Sequence, residues 1–307
     1  MSLVVSGLAV VWLVIGLGWV IGRTHLLPAS SEEVFNRFVY YVALPAFVWS
    51  ALTSQDVASV LGAPLAVAAV SATLTALAVA ALLALTRRYE LASVVIAAMC
   101  SALANAGYLG IPLAHYILGS SLYVVPVLLF QLAFFTPTFF ILAQLTSRDS
   151  DATASSALWQ MLRNPLLLAA LTGIVISLAD VRVPSPLVDA IDVLGGAAMP
   201  CILVSFGLSL VRGGRGLDAR AAGAIALASV AKLVVQPALA YLVGRHLGGL
   251  AGADLFAVVA MAGLPTAQNA YLAAFRARAG LNIARGSVLA TTVFVTPSLM
   301  AIAALLA

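Results

Sequence analysis

Charged residues are scarce in this sequence. Asp, Glu, Lys and Arg together make up 8% of the 307 residues, whereas 63% are hydrophobic. The mean hydropathy is +1.12. Such a chain has too little charge to surround a soluble domain with a polar surface. The composition therefore predicts an integral membrane protein with several spans, surrounded by a lipid bilayer.

The sequence also has only two cysteines and few runs of basic residues. Their scarcity excludes several classes of function. Cys100 and Cys201 both fall inside apolar runs and lack the spacing of metal ligands, so we expect no metal site and no cofactor. The net charge of +4 comes without a basic run that is interleaved with aromatic residues, so nucleic acid is not an expected partner. Paired carboxylates at membrane depth are missing as well, which argues against an enzyme and against a cation/proton antiporter.

Apolar runs of about 20 residues predict ten membrane-spanning helices. They lie at residues 3–21, 34–52, 57–85, 91–118, 122–145, 166–179, 187–211, 219–243, 255–274 and 286–307. Twelve arginines follow odd-numbered spans, and only Arg182 and Arg245 follow even-numbered ones. Because cytoplasmic loops carry the excess of cations, both termini are predicted to lie on the non-cytoplasmic side of the plasma membrane, a bacterial inner membrane.

Prolines recur at similar positions in the two halves of the chain. The pairs are Pro28 with Pro184, Pro45 with Pro200, Pro112 with Pro265, and Pro137 with Pro297. Residues 1–146 and 158–307 would each hold five spans, joined by a polar cytoplasmic linker at 147–157. Since five is odd, the second half enters the membrane in the opposite sense. The predicted fold class is all-α, with ten transmembrane helices in two inverted five-helix repeats.

The fourth and ninth predicted spans each contain a stretch that a straight helix cannot pass undisturbed. Residues 105–112 read NAGYLGIP, and residues 263–273 read GLPTAQNAYLA. Proline lacks an amide donor and glycine weakens a helix, yet broken backbone survives in hydrocarbon only beside protein or a polar cavity. We predict two broken helices that cross near the bilayer midplane, with the substrate site against them. The alternative for either stretch alone is close helix packing.

The two stretches supply most of the predicted substrate-binding or ion-binding residues. Pro112 and Pro265 are expected to begin the second half-helices, whose unpaired amides would attract an anion. Asparagine and glutamine offer donors and acceptors that suit a carboxylate, although they could instead satisfy loose backbone. The predicted residues are Asn105, Gly107, Gly110, Ile111, Pro112, Pro265, Thr266, Gln268 and Asn269.

Lys232 is the single lysine of the chain and lies near the centre of the eighth predicted span. A cation inside the membrane is a functional candidate, which could pair with a substrate carboxylate or exchange a proton during transport. The alternative is a structural lysine bonded to loose carbonyls. Secondary candidates are Pro45, Gln131, Ser205 and Gln236; for the three polar ones an interhelical hydrogen bond is the commoner role.

Residues 35–47, FNRFVYYVALPAF, together with NAGYLGIP and GLPTAQNAYLA, resemble the auxin efflux carrier family of membrane transporters. The family includes plant auxin exporters and bacterial carriers of malate and malonate, and the resemblance covers the whole chain. It implies a scaffold domain, a transport domain that moves like an elevator, and an organic anion bound at the crossing. Family motif positions correspond to Asn36, Arg37, Pro45, Asn105, Pro112 and Pro265. The chain departs from plant members in its short central loop and in a third span without an acidic residue.

The sequence thus predicts a secondary active or facilitative transporter of a small organic anion, either a carboxylate or an auxin-like acid. A sodium-coupled bile-acid-type symporter, whose crossover topology is similar, is one alternative. A non-transporting membrane sensor on the same fold is another. The candidate coupling ions are H+ and Na+, and a homodimer is implied by the resemblance alone.

Overall fold

A computed structural model describes residues 2–28, 30–54, 62–147, 159, 163–211 and 221–306. The predicted linker at 147–157 lies outside these residues, apart from Ser147. The described chain is helical, and Ala104 and Thr266 form an isolated antiparallel β-bridge. In chain order the helices are α1 (Ser2–Arg23), α2 (31–53), α3 (Ala63–Thr86), α4 (Leu91–Cys100), α5 (Ala106–Leu118), α6 (Ser121–Thr146), α7 (Pro165–Leu178), α8 (Ser185–Val211), α9 (Ala222–Leu247), α10 (Gly252–Ala262), α11 (Asn269–Arg276) and α12 (Leu281–Leu306).

Five of the described helices are long and apolar enough to cross a membrane by themselves: α3, α6, α8, α9 and α12. Helices α4, α5, α7 and α10 are apolar but shorter, as is the part of α1 from Ala9 to Arg23. The protein is therefore an all-helical polytopic membrane protein.

Widened π-helical turns precede four of the prolines inside these helices. The turns are Val39–Ala43, Ala106–Gly110, Gln131–Phe135 and Ala231–Val235, and each is followed two residues later by a proline. A proline ring clashes with the carbonyl group four residues earlier and offers no amide to it. A π turn places an extra residue at this point, so the helix continues past the proline. At these four positions the helix therefore continues through the proline.

The helices pack in two groups. In the first group α1 lies against the second half of α8, while α2 packs on α7 and the first half of α8. Ser205 donates a hydrogen bond to Asn36 Oδ1 at 2.7 Å, and Ser50 donates one to Asp192, so side chains also join these helices. In the second group α3 packs on α4, α6 and α9, and α9 packs on α10 and α12. The groups meet mainly where α1 contacts α5.

Candidate substrate-binding site

Two non-helical segments lie side by side in the second group of helices. Helix α4 ends at Cys100, and non-helical chain follows before α5; helix α10 ends at Ala262, and non-helical chain follows before α11. We call these segments, residues 101–105 and 263–268, the first and second interruptions. Both are almost entirely buried in protein.

The interruptions are joined by main-chain hydrogen bonds. The amide of Asn105 donates to the carbonyl oxygen of Pro265 at 2.7 Å, and the amide of Ala267 donates to that of Leu103 at 3.0 Å. In hydrocarbon an unpaired backbone group costs several kcal/mol, so each interruption satisfies part of the other's backbone. The two segments therefore form one structural unit.

Thr266 fixes the second interruption to two neighbouring helices. It is fully buried; its amide donates to Thr291 Oγ1 at 3.0 Å and its hydroxyl donates to the carbonyl of Cys100 at 2.7 Å. This second bond satisfies the carbonyl at the end of α4. Thr291 was absent from the sequence-based candidates, because a threonine in an apolar helix gives no signal that distinguishes it from a packing residue.

Lys232 and Gln236 hold the two interruptions from one face of α9. The Lys232 ammonium donates to the carbonyl oxygen of Ala262 at 2.6 Å, and the Gln236 amide donates to that of Ala102 at 3.3 Å. The end of a helix carries a partial negative charge, which stabilises the ammonium at the last residue of α10. Because the two side chains are four residues apart, one helix face supports both segments.

The charge of Lys232 has no acidic counterpart in its surroundings. Lys232 is fully buried, and among the described residues no other charged side chain is buried. A helix terminus supplies only about half an elementary charge, so when Lys232 is protonated its bond to Ala262 leaves net positive charge in a low-dielectric region. The arrangement would attract an anion to this depth.

Asn105 is nearly fully buried, and its side-chain carbonyl accepts the amide of Tyr108 at 3.3 Å. This bond caps the π turn that begins α5, a structural role that was one of the two expectations for this residue. Within the turn, Gly110 is crowded: a β-carbon there would lie 2.8 Å from Val124 Cγ2 and 2.9 Å from Leu264 Cδ1. Gly107 has more room, with Leu44 Cδ1 at 3.6 Å.

The prolines of the two stretches differ from expectation. Pro112 lies inside a continuous helical stretch from Ala106 to Leu118, and Pro265 lies in the non-helical second interruption, before α11 begins at Asn269. Neither proline begins a half-helix. Pro112 is the twelfth residue after the end of α4, whereas Pro265 is the third after the end of α10, so they do not occupy corresponding positions. The π turn before Pro112 absorbs its effect, and the interruption falls earlier in the chain.

A cavity of about 680 Å³ lies at one end of the bundle, and its lining includes residues that adjoin the interruptions. We call it the vestibule. Tyr108, next to the first interruption, and Asn269, directly after the second, lie at its walls. Polar and aromatic side chains dominate the rest of the lining, namely Glu32, Glu33, Asn36, Arg37, Tyr40, Tyr41, Thr136, Phe140, Gln144, Asn164 and Arg276. Arg37 forms an exposed ion pair with Glu33 at 2.9 Å.

The remaining predicted residues are spread around this centre. Gln131 is buried in the π turn of α6, Ser205 bonds to Asn36 beside the vestibule, and Pro45 is half-buried in α2. Gln268 is exposed, and Ile111 is buried beside a separate pocket of about 220 Å³ that also contains His115 and Asp192. No group of three His, Cys, Asp or Glu side chains in the described ranges is arranged to hold a metal ion.

Comparison of the sequence with known proteins identifies its family. The sequence model of the family described as "Membrane transport protein" matches residues 3–303. The chain belongs to this family. It is the auxin efflux carrier family, so the prediction from the motifs is confirmed. A protein of Rhizobium meliloti (strain 1021) named "Putative malonate transporter" is 28% identical over 262 residues, which cover 83% of this chain and 81% of that protein. The chain is an integral membrane protein of a transport family.

Proposed function

We propose that the protein is a secondary transporter of a small organic anion, with the carboxylate bound where the two interruptions meet. The observation that carries the proposal is the buried ammonium of Lys232, which lies beside the interruptions without an acidic partner among the described residues. A small carboxylate would neutralise this charge, and the vestibule would bring it as far as Tyr108 and Asn269, which adjoin the interruptions. Malonate and related mono- and dicarboxylates are the first substrates to test, because a relative is named for malonate.

The same proposal includes a membrane topology. Joining α4 to α5 and α10 to α11 gives ten spans, of which the fourth and ninth are broken. In support, α1, α2, α3 and α6 of the first half match α7, α8, α9 and α12 of the second in order, and an interruption occupies the same place in each half. The halves would be inverted repeats, with both termini outside the cytoplasm of a bacterial inner membrane.

Alternating access would follow from movement between the two helix groups. Helices α1, α2, α7 and α8 would form the scaffold, and the other helices would carry the interruptions and the anion in an elevator-like displacement. Contacts between the two groups are fewer than contacts among the helices within each group. This difference supports a surface between the groups along which they could slide. A homodimer and a coupling ion, either H+ or Na+, belong to the same proposal.

The test is uptake of radiolabelled carboxylates into proteoliposomes that contain the purified protein. Malonate, succinate, malate, acetate and an indole acid would be compared, each with empty liposomes as the control. Uptake of one acid class, competed by its unlabelled members, supports the proposal. If none of these anions enters above the empty-liposome rate, while the protein is folded by circular dichroism, the proposal is wrong.

A further inference from the structure

A second, narrow cavity lies between α3, α6, α9 and α10 and shares no lining residue with the vestibule. It extends from Pro64 and Tyr123, which are partly exposed at one end of the bundle, to Gln236 and Ala262 at the depth of the interruptions. Its volume is about 20 Å³. A water molecule needs about 10–15 Å³ measured in this way, so the cavity has room for one water.

Two buried polar atoms in this lining have no hydrogen-bond partner in the described part of the chain. They are the hydroxyl oxygen of Ser71, whose residue is fully buried, and Oε1 of Gln236, whose amide group already donates to Ala102. Gln131, also buried, faces the same cavity. A buried polar atom without a partner is unfavourable, because it has lost its hydrogen bonds to water. One water could accept from Ser71 and donate to Gln236, and thereby satisfy both.

The inner end of the cavity reaches Ala262, the residue whose carbonyl oxygen Lys232 binds. Ala262 belongs to the lining, and its oxygen accepts the Lys232 ammonium at 2.6 Å. At the outer end Tyr123 donates to Asp254 Oδ1 at 3.5 Å. The helices packed around this part of α9 bring few other titratable groups: none on α3, Cys100 at the end of α4, Arg285 near the start of α12, and Tyr241, Arg245 and His246 farther along α9 itself. Lys232 is bonded to Ala262 in the lining at the inner end.

We propose that this cavity is the route by which Lys232 exchanges a proton with water at the Tyr123 end of the bundle. This end is non-cytoplasmic in the topology proposed above. In the outward step one N–H bond of the Lys232 ammonium breaks and the proton forms a bond to the cavity water, which becomes hydronium and passes the proton outward. The reverse step restores the ammonium. Since the ammonium attracts a carboxylate and the neutral amine does not, the proton becomes the ion coupled to anion movement. The inference rests on the proposed transport function.

Silver-ion access tests the route without any transport assay. Ag+ is about as small as water and reacts with thiols. Ser71→Cys would be made in the Cys201→Ala background, where Cys100 remains as a fully buried internal control. With Ag+ added from the non-cytoplasmic side, the thiol at position 71 should be blocked at least about tenfold faster than that of Cys100, as read by maleimide labelling after denaturation. Equal rates at the two thiols, or access from the cytoplasmic side only, overturn the route.

Proton flux tests the coupling. Malonate uptake into proteoliposomes would be recorded for the wild type, Ser71→Val and Ser71→Thr. In the same experiment a pH-sensitive dye trapped inside the proteoliposomes would report the internal pH. We expect proton flux with wild type, its loss with Ser71→Val, and its recovery with Ser71→Thr, which keeps the hydroxyl. Thermal stabilisation by malonate should persist in Ser71→Val. Wild-type uptake without proton flux, or unchanged flux in Ser71→Val, contradicts the inference but leaves the transporter intact. If malonate is neither taken up nor stabilises the wild-type protein, the proposed function is contradicted. The silver-ion experiment tests the route in that case too, because it needs no transport.

Discussion

The amide of Asn105 donates a hydrogen bond to the carbonyl oxygen of Pro265 at 2.7 Å, and so joins the first interruption to the second. These two residues are 160 positions apart in the sequence, and the contact between them is buried. Lys232 and Gln236 of α9 donate hydrogen bonds to Ala262 and Ala102 on either side of this contact. The hydroxyl of Thr266, in the second interruption, donates to the carbonyl of Cys100. In the proposed function this unit both connects the moving helices and binds the anion.

Gly110→Ala should weaken the contact between the interruptions. Its new β-carbon would press on Leu264 Cδ1 in the second interruption and on Val124 Cγ2. Overpacking of this kind costs about 1–3 kcal/mol. We expect a lower melting temperature and slower carboxylate uptake. Gly196→Ala is the matched control, because a β-carbon there meets nothing within 4 Å; an equal effect of the two substitutions would argue against crowding as the cause.

Gln236→Leu should lower stability by removing the donor to Ala102. Hydrogen bonds between membrane helices contribute about 0.6 kcal/mol on average and up to about 1.7 kcal/mol, and we expect a loss in this range. Reversible unfolding in detergent measures it. Gln144→Leu, at the vestibule wall, is the control and should change stability less. A stability of Gln236→Leu equal to that of wild type would show that Ala102 finds another donor.

Gly207→Ala should disrupt the first group of helices. A β-carbon at this position would overlap the carbonyl oxygen of Ile15 and lie 2.7 Å from the α-carbon of Gly18, both of which are backbone atoms that cannot rotate away. Small residues at such interfaces let helix backbones approach closely. We expect poor yield or a large drop in melting temperature. Gly16→Ala in the same helix pair, where nothing lies within 4 Å, should behave as wild type.

Trp12→Phe should speed the exchange between transport states. The Trp12 indole donates to Thr296 Oγ1 at 2.9 Å and so ties α1 of the proposed scaffold to α12 of the proposed transport group. An elevator displacement has to break this bond. Loss of about 0.6 kcal/mol corresponds to an increase of about threefold in the exchange rate, measured by single-molecule fluorescence between labels on the two groups. Trp19→Phe is the control; a Trp12→Phe rate equal to that of wild type would mean that the bond does not resist the movement.

Much of the candidate site is predictable from the sequence, because polar residues in long apolar runs stand out. Asn105, Lys232 and Gln236 are found in this way, and the structure brings all three to the interruptions. The site of the interruption in the fourth predicted span is harder to predict. Sequence reasoning places it between Asn105 and Pro112, since proline is the strongest helix breaker, but a π turn accommodates Pro112 and the non-helical chain precedes Asn105.

The polar residues that the sequence does not reveal are small. Ser71 and Thr291 each lie in a helix rich in small apolar residues, and serine or threonine is common there because its hydroxyl can bond to its own helix. The role of each residue depends on what its hydroxyl faces outside its own helix. Thr291 accepts the amide of Thr266, and Ser71 faces a cavity. Such relationships are tertiary, so no single-helix pattern predicts them. The same holds for the vestibule, whose walls come from four of the helices and from Asn164, just before α7.

The proposed function requires that a carboxylate binds beside Lys232 and Asn105. The most direct measurement is the shift in melting temperature that malonate produces in the purified wild-type protein and in Lys232→Met, Asn105→Ala and Arg245→Met. A ligand that binds the folded state raises the melting temperature by mass action, and a concentration of 100 times Kd contributes about 2.7 kcal/mol. The account predicts a shift in wild type and in Arg245→Met, whose charge is exposed, and none in the other two. An undiminished shift in folded Lys232→Met and Asn105→Ala would contradict the account.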